Sequence, residues 1–285
     1  MRSVGAERAE RDGWSLFFPR GAAGEFGSHE ELGALAIDAA SGRCGRVMRR
    51  SRDATTFLTR LRGDPGTGTE IFFKVIDPPG GWRGIKRRLR GSRAAHVAAI
   101  SEALRRDGLQ APVVLLFGCE PATGREIIST VRIAGRTLIR WLRQDGRMLE
   151  RKRAMLRALG AEVARLHRAG YLHGDLTPYN VMVMTGDAPR FAFIDHDRTR
   201  KSPAARLLRP RMRNLVQLGR FDLAGLTITD RMRVWRGYAG EFGLRNERAA
   251  LRRVARMLAA RIAREGASGK LHSARLAAAD GMREA

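Results

Sequence analysis

The chain has 285 residues, 44% of them hydrophobic, which can bury the core of one large domain or of two lobes that share a cleft. No run approaches 18 apolar residues, no apolar stretch opens the chain, and neither of its two cysteines has a histidine at ligand spacing; we therefore expect a cytoplasmic protein without a membrane span, secretory signal, disulfide framework or zinc site. A formal net charge of +25, nearly all of it arginine, indicates a polyanionic partner or a compositional bias, while only 6% aromatic residues argue against nucleic acid as the main partner.

The first half of the chain predicts an antiparallel sheet with one helix. Residues 1–33 are mixed and glycine-rich, and we interpret them as an N-terminal extension. Residues 34–133 contain short apolar runs separated by turn residues, which indicates strands, and they form the first predicted lobe. The predicted strands are 46–50, 56–61, 70–76, 112–117 and 126–132, and the predicted helix is 94–106.

The second half predicts a mainly helical lobe over residues 134–265. Apolar residues recur three and four positions apart in a helix that ends near Gly170. Two short strands then form a hairpin, and a long helix closes the lobe. The predicted strands are 181–184 and 191–194, the closing helix is 246–264, and residues 266–285 are expected to form a frayed tail.

Polar residues flank this hairpin. The loop before it reads HGDLTPYN over His173–Asn180, and the strand after it ends at Asp195. Phosphoryl transfer needs a base to orient the attacking hydroxyl, ligands for magnesium and a cation on the phosphates. Asp175 can be that base, and the hairpin brings Asn180 and Asp195 to one edge, where their oxygens can share Mg²⁺. We expect His173 to support the loop through a backbone hydrogen bond.

Lys74 is the expected cation. It lies between Phe73 and Val75 in an apolar strand, where a charged side chain needs an anion, and the α and β phosphates of ATP would supply one. Taken singly, Asp175 fits a turn or cap role better. The order of all these residues along the chain is what predicts a phosphoryl-transfer site.

These motifs resemble the lipopolysaccharide core kinases of the Kdo and heptose kinase group, distant relatives of protein kinases. The resemblance covers roughly residues 45–240. It implies an α+β, bilobal protein-kinase-like fold with a small antiparallel-sheet N-lobe and a mainly helical C-lobe. It rests on residues 72–74, 108–112, 173–180, 194–198 and 213–215 with Leu218.

The family implies ATP and Mg²⁺, and transfer of the γ-phosphate to a sugar hydroxyl of the lipopolysaccharide inner core at the cytoplasmic face of the inner membrane. By the same resemblance, Asp175 is the catalytic base and Lys74 the phosphate lysine. Asn180 and Asp195 are the metal ligands.

Two features depart from the family pattern. The loop expected to cover the phosphates, with Ser51, Arg52 and Thr55 as candidate nucleotide contacts, has no glycine, so other amides or arginine must contact the nucleotide. The first helix has no acid where one should pair with Lys74. Either Glu102 or Glu70 replaces it, or the kinase is impaired.

Arginine-rich runs follow the Lys74 strand and Asp195. One contains Arg87 and Arg88, and the other begins with Asp197 and Arg198. These four residues are the candidate substrate contacts, because guanidinium groups can hold the carboxylates and phosphates of an anionic glycolipid acceptor or of a membrane surface. The alternative is a solvated charged face.

Two other functions remain open from the sequence. The first is another kinase of the same fold, of the aminoglycoside-phosphotransferase type or the atypical type associated with tRNA modification. The second is a basic pseudokinase scaffold, which the missing helix acid and the glycine-free loop favour.

Overall fold

Seven antiparallel strands form one sheet in the computed structural model, which describes residues 5–20, 26–61, 68–78, 91–144, 149–186, 188–220 and 226–267. The sheet order is β1-β2-β6-β7-β5-β4-β3. The strands are β1 (Ala6–Arg11), β2 (Trp14–Pro19), β3 (Arg46–Ser51), β4 (Ala54–Arg60), β5 (Glu70–Ile76), β6 (Val114–Glu120) and β7 (Arg125–Val131).

The alternation of side chains along β5 gives the sheet two different faces. Phe73 and Val75 point into a core that includes α1 (His29–Ala40). Ile128, directly opposite Lys74 on β7, packs with α2 (Arg93–Arg106) on the other face. Lys74 therefore lies on the α2 side of the sheet, because directly paired residues share a face.

The N-terminal residues belong to this sheet. β1 pairs with β2 along its full length, and β2 pairs with β6. Trp14, Leu16 and Phe18 are buried in the same core as α1. The domain bounds predicted from the sequence remain predictions, but residues 6–19 of the predicted extension are integral to the sheet.

The chain divides into two compact units: residues 1–106 with 111–132, and residues 107–110 with 133–285. The second unit is mainly helical, as predicted. Its helices are α3 (Leu138–Gln144), α4 (Leu149–Arg168), α5 (Leu208–Gly219), α6 (Ile228–Phe242) and α7 (Glu247–Ala267). Its short strands are β8 (Gly135–Thr137), β9 (Tyr171–Leu172), β10 (Val181–Met184), β11 (Phe191–Phe193) and β12 (Arg200–Lys201).

The predicted hairpin is β10–β11, which pairs antiparallel and is joined by β8. α7 begins one residue later than predicted and runs to Ala267; the rest of the predicted tail lies outside the described residues. Among the helices that the structure describes, none is long and apolar enough to cross a membrane.

Glycines let α4 and α6 approach each other closely. A Cβ built on Gly160 would lie 1.9 Å from the carbonyl oxygen of Val234, and one on Gly237 would lie 1.9 Å from that of Arg157. Real Cβ atoms do not come this close, so the two backbones can only be this near because glycine has no side chain.

We expect Gly160→Ala to lower the free energy of unfolding by about 3 kcal/mol, since the helices must separate and the core between them must repack. Chemical denaturation measures the change. Gly240→Ala on α6 is the matched control: no atom lies within 4 Å of its built Cβ, so it should be neutral or stabilising by up to about 1 kcal/mol. Equal effects of the two substitutions would contradict the close crossing.

Candidate active site

Gly174 shapes the loop that follows β9. Its φ is +76°, in the left-handed region that glycine adopts without strain. A Cβ at this position would lie 2.4 Å from the carbonyl oxygen of Arg198. The loop and the turn after β11 therefore lie against each other, which a larger residue would prevent.

His173 connects this loop to the strand that precedes Asp195. Its side chain is fully buried, and Nε2–H donates to the carbonyl oxygen of Ile194 at 3.1 Å. Burial lowers the pKa of the imidazole, so the ring is neutral near pH 7. A buried, neutral ring bonded to the main chain is suited to support the loop rather than to carry protons.

Asn180 connects Asp175 to the same strand. Its Nδ2 donates to the carbonyl oxygen of Asp175 at 2.9 Å, and its own carbonyl oxygen accepts from the N–H of Ile194 at 3.0 Å. The structure thus brings Asp175, Asn180 and Asp195 together. Asp195 has φ 62° and ψ 62°, a left-handed conformation that aspartate tolerates better than most residues.

The side-chain atoms that could bind a metal ion at this edge are oxygens. Because Nδ2 of Asn180 is turned to the main chain, Oδ1 is the amide atom that remains to accept, and Asp195 is exposed. Such oxygens suit Mg²⁺, which takes few protein ligands and completes its shell with water and phosphate. Within the described ranges no three His, Cys, Asp or Glu side chains form a metal cluster. The pair therefore fits a magnesium ion that arrives with a nucleotide.

The turn after Asp195 is anchored back to the loop. It is a short 3₁₀ helix, His196–Arg198, in which His196 Nδ1–H donates to the Thr199 hydroxyl at 3.1 Å. That hydroxyl donates to the carbonyl oxygen of His173 at 3.1 Å. Two predicted substrate residues lie in this turn, Asp197 partly buried and Arg198 exposed.

Two side chains of α5 hold the main chain of the loop. Oδ1 of Asn214 accepts the N–H of His173 at 3.1 Å, and Oε1 of Gln217 accepts that of Leu176 at 3.3 Å. Nε2 of Gln217 donates to the carbonyl oxygen of Gly174 at 2.9 Å. Nδ2 of Asn214 donates to Oε1 of Gln217 at 3.0 Å, so the two amides act as one unit.

His167 of α4 extends this network inward. Since Oδ1 of Asn214 only accepts, His167 Nε2 must carry the proton of their 3.1 Å bond, and Nδ1 accepts from the Tyr238 hydroxyl at 3.0 Å. Arg211 donates to the same hydroxyl at 3.4 Å. Burial, with a smaller contribution from the Arg211 charge, lowers the pKa of His167 to about 4.

This pKa predicts acid sensitivity. The unfolded imidazole titrates near 6.5, so the unfolded chain binds more protons between pH 6.5 and 4, and stability falls as pH falls through that window. From pH 7.5 to pH 5 we expect His167 to remove about 2 kcal/mol of unfolding free energy. Urea titrations of the wild type and of His167→Gln should show a shallower pH slope in the variant. Equal slopes would contradict a neutral, buried His167.

Lys74 belongs to the first unit, and the acids expected to pair with it are bonded elsewhere. Glu102 pairs with Arg106 at 2.8 Å, one turn along α2, and Glu70 pairs with Arg132. The sequence analysis did not predict Arg106 or Arg132 as partners of these two glutamates. An i, i+4 pair within a helix forms locally and keeps Glu102 on the surface.

Glu126 is a buried acid on the Lys74 face that the sequence analysis missed. It pairs with Ile76 in the β5–β7 register, two positions from Lys74, so both side chains project from the same face. Its Oε2 accepts from the N–H of Ala94 at 2.7 Å and from the Ser92 hydroxyl at 2.9 Å. Glu126 thereby caps the start of α2. Its signal in the sequence was a lone acid opening an apolar strand.

The three residues predicted to contact the nucleotide lie in two different places, a turn and a strand. Ser51 and Arg52 lie at the tight β3–β4 turn, where the Ser51 hydroxyl donates to the carbonyl oxygen of Ala54 at 3.0 Å. Thr55 pairs with Val75, so it lies on the face opposite Lys74, whose direct neighbour is Thr56. Arg87 and Arg88 lie outside the described residues.

The α+β architecture and the loop that joins Asp175, Asn180 and Asp195 define a protein of the protein-kinase-like class. The model of the lipopolysaccharide kinase (Kdo/WaaP) family matches residues 85–238, more than half of the chain. The chain therefore belongs to that family, which places it among the phosphotransferases. The match contains the whole loop and hairpin but begins after Lys74.

Curated relatives share shorter stretches. The chain is 32% identical over 111 residues both to the probable bifunctional tRNA threonylcarbamoyladenosine biosynthesis protein of Methanothermobacter thermautotrophicus and to the probable serine/threonine-protein kinase BUD32 homolog of Archaeoglobus fulgidus. Each match covers 39% of this chain, but 18% of the first relative and 48% of the second. The chain thus spans less than half the length of either. The crystal structure of WbdD is similar at 17% identity and a TM-score of 0.46, over 74% of this chain and 50% of that one; an overlap this low carries no inference.

Proposed function

We propose that the protein is an ATP-dependent kinase that phosphorylates a sugar hydroxyl of the lipopolysaccharide inner core, on Kdo or heptose. The observation that carries the proposal is the pair of bonds made by Asn180, to the main chain of Asp175 and of Ile194. These bonds support the proposal because they connect Asp175, the proposed base, with Asn180 and Asp195, the proposed metal ligands, in a chain of the lipopolysaccharide kinase family.

In this proposal Asp175 orients the acceptor hydroxyl and receives its proton as the phosphoryl group transfers. Asn180 and Asp195 would hold Mg²⁺, which neutralises negative charge on the phosphates when bound. Lys74 contacts the α and β phosphates. His173 contacts neither ATP nor the acceptor in this proposal; it supports the loop through its bond to the carbonyl oxygen of Ile194.

The acceptor is anionic, which suits the charge of the protein. Arg198, exposed directly after Asp195, can fork to a phosphate or carboxylate of the inner core, and Asp197 can accept from a sugar hydroxyl. Arg87 and Arg88 keep the same proposed role. With a net charge of +25, the protein would work at the cytoplasmic face of the inner membrane, held peripherally by anionic lipid.

The test is an acceptor assay with purified full-length protein, ATP and Mg²⁺. Dephosphorylated lipid-linked inner core should become labelled, and hydrolysis of the product should place the phosphate on Kdo or heptose. Labelling of a different acceptor, with none on the core glycolipid, would contradict the proposal.

The second candidate is an atypical protein kinase, favoured by the 32% identity to the Archaeoglobus protein. The same assay separates the two when a protein acceptor and the kinase itself are included. Phosphoserine or phosphothreonine formed faster than phosphorylated sugar would favour this candidate. No ATP turnover with any acceptor would favour the basic pseudokinase scaffold.

A further inference from the structure

Helices α5 and α7 pack together and border an arginine-lined cavity of about 640 Å³. Its volume falls within the range of ordinary small-molecule sites. Six of the described residues that line it are arginines: Arg209, Arg213, Arg220, Arg253, Arg261 and Arg264.

Helical spacing concentrates these charges. Arg209 and Arg213 are four positions apart on α5, and Arg253 and Arg261 are eight apart on α7, so each pair shares one side of its helix. Val216 and Met257 give the cavity an apolar part between the guanidinium groups. The result is a concave surface with fixed positive charge and some apolar contact area.

The described part of the lining has no negative charge of its own. None of the ten described residues that line the cavity is acidic, and in that part of the chain Arg209, Arg213 and Arg253 make no ion pair. Some surface arginines on other helices do pair with carboxylates, as Arg106 does with Glu102. The guanidinium groups of Arg209, Arg213 and Arg253 repel each other unless an anion lies between them.

We propose that this cavity binds a multiply charged, phosphate-bearing group of headgroup size. Guanidinium forks match phosphate oxygens bidentately, and several of them exceed what a single carboxylate could use. Among the described residues, none that line the cavity has an aromatic side chain on which a base could stack, which disfavours RNA. This inference goes beyond the proposed function and does not depend on the acceptor.

Gln217 connects the cavity to the loop. It lines the cavity and also bonds the main chain of Gly174 and Leu176. None of Asp175, Asn180 and Asp195 lines the cavity. An anion bound there would therefore lie one side chain away from the loop without occupying the position of the reacting groups.

The experiment titrates full-length protein with inorganic pyrophosphate by calorimetry, without ATP or acceptor and with EDTA present to prevent binding through a metal. The double variant Arg213→Ala/Arg253→Ala should weaken binding about 100-fold, about tenfold for each charge-assisted contact. The control is Arg252→Ala/Arg256→Ala, which removes the same charge from exposed positions of α7 outside the cavity. It should change binding less than twofold.

A second arm identifies the source of the phosphate. If vesicles of phosphatidylcholine with phosphatidylglycerol compete with pyrophosphate, the cavity takes a lipid headgroup; if pyrophosphate binds and the vesicles do not compete, it takes a soluble phosphate compound. If both double variants lost the same pyrophosphate affinity, general surface charge would explain the binding, and the proposal would be overturned. Absence of pyrophosphate binding, or RNA binding that requires the same two arginines, would also overturn it. Since no turnover is measured, an inactive enzyme leaves the result intact.

Discussion

Asp175→Asn should lower kcat by about 10²–10⁴-fold while leaving the fold unchanged. The substitution keeps the size of the side chain but removes the carboxylate that receives the hydroxyl proton. Among the described residues, five bonds from side chains to the main chain of residues 173–176 hold the loop, and the Asp175 carboxylate makes none of them. We therefore expect the unfolding free energy to change by no more than about 0.5 kcal/mol. Rates at saturating ATP and acceptor, with urea denaturation, measure both quantities.

Asp38→Asn is the control, because Asp38 lies half-exposed on α1 and its side chain pairs only with Arg43 among the described residues. It should leave kcat unchanged. If Asp175→Asn and Asp38→Asn had the same activity, Asp175 would not be the base. A drop in activity matched by an equal loss of stability would mean that Asp175 supports the fold instead.

Asn214→Ala should be among the most destabilising single substitutions in the second unit. It leaves two buried donors without an acceptor, the N–H of His173 and Nε2–H of His167, at about 1–3 kcal/mol each. We expect a loss of about 4 kcal/mol in unfolding free energy. The substitution also removes the bond that fixes the main chain of His173 in the loop. We therefore expect kcat to fall even at temperatures where the protein stays folded.

Asn214→Asp tests whether the acceptor matters. Its carboxylate can still accept from both donors but cannot donate to Gln217, so it should recover part of the stability and most of kcat. Asn246→Ala is the control, because it removes the same kind of side chain from an exposed position. Among the described residues the Asn246 side chain accepts only the N–H of Ala249, near the start of α7, so its removal should cost about 1 kcal/mol and leave kcat unchanged. Equal losses for Asn214→Ala and Asn246→Ala would contradict the anchoring role.

The sequence predicted those parts of the fold in which the signal is local. Strands β5 and β10 have the predicted bounds, because short apolar runs between turn residues define a buried strand. β1 was missed because its residues, AERAER, are mostly charged and exposed, as suits an edge strand. β2 was assigned to the N-terminal extension, since its partner β6 follows about a hundred positions later and no local signal connects the two strands.

The candidate site was predictable in its residue types but not in its supports. Asp175, Asn180 and Asp195 could be grouped because a hairpin connects them. The acceptor that Asn214 offers to His173 lies 41 positions away, and Tyr238 lies 71 positions from His167, so no periodicity reports these bonds. Thr55 shows a different limit. An offset of one residue in a strand reverses the face, and the sequence could not distinguish Thr55 from Thr56 as the neighbour of Lys74.

The main-chain anchoring of residues 173–176 bears on how acceptor preference could diverge between relatives. Asn214, Gln217, Thr199 and Asn180 bond only backbone atoms there, and backbone atoms are the same whatever the residue. Side chains around the loop can therefore be exchanged by mutation without dismantling the scaffold that carries the aspartate. Such a loop is a favourable starting point for laboratory evolution toward new acceptors. In such an experiment the side chains of Asn180, Asn214, Gln217 and Thr199 should be kept unchanged, because they anchor the loop.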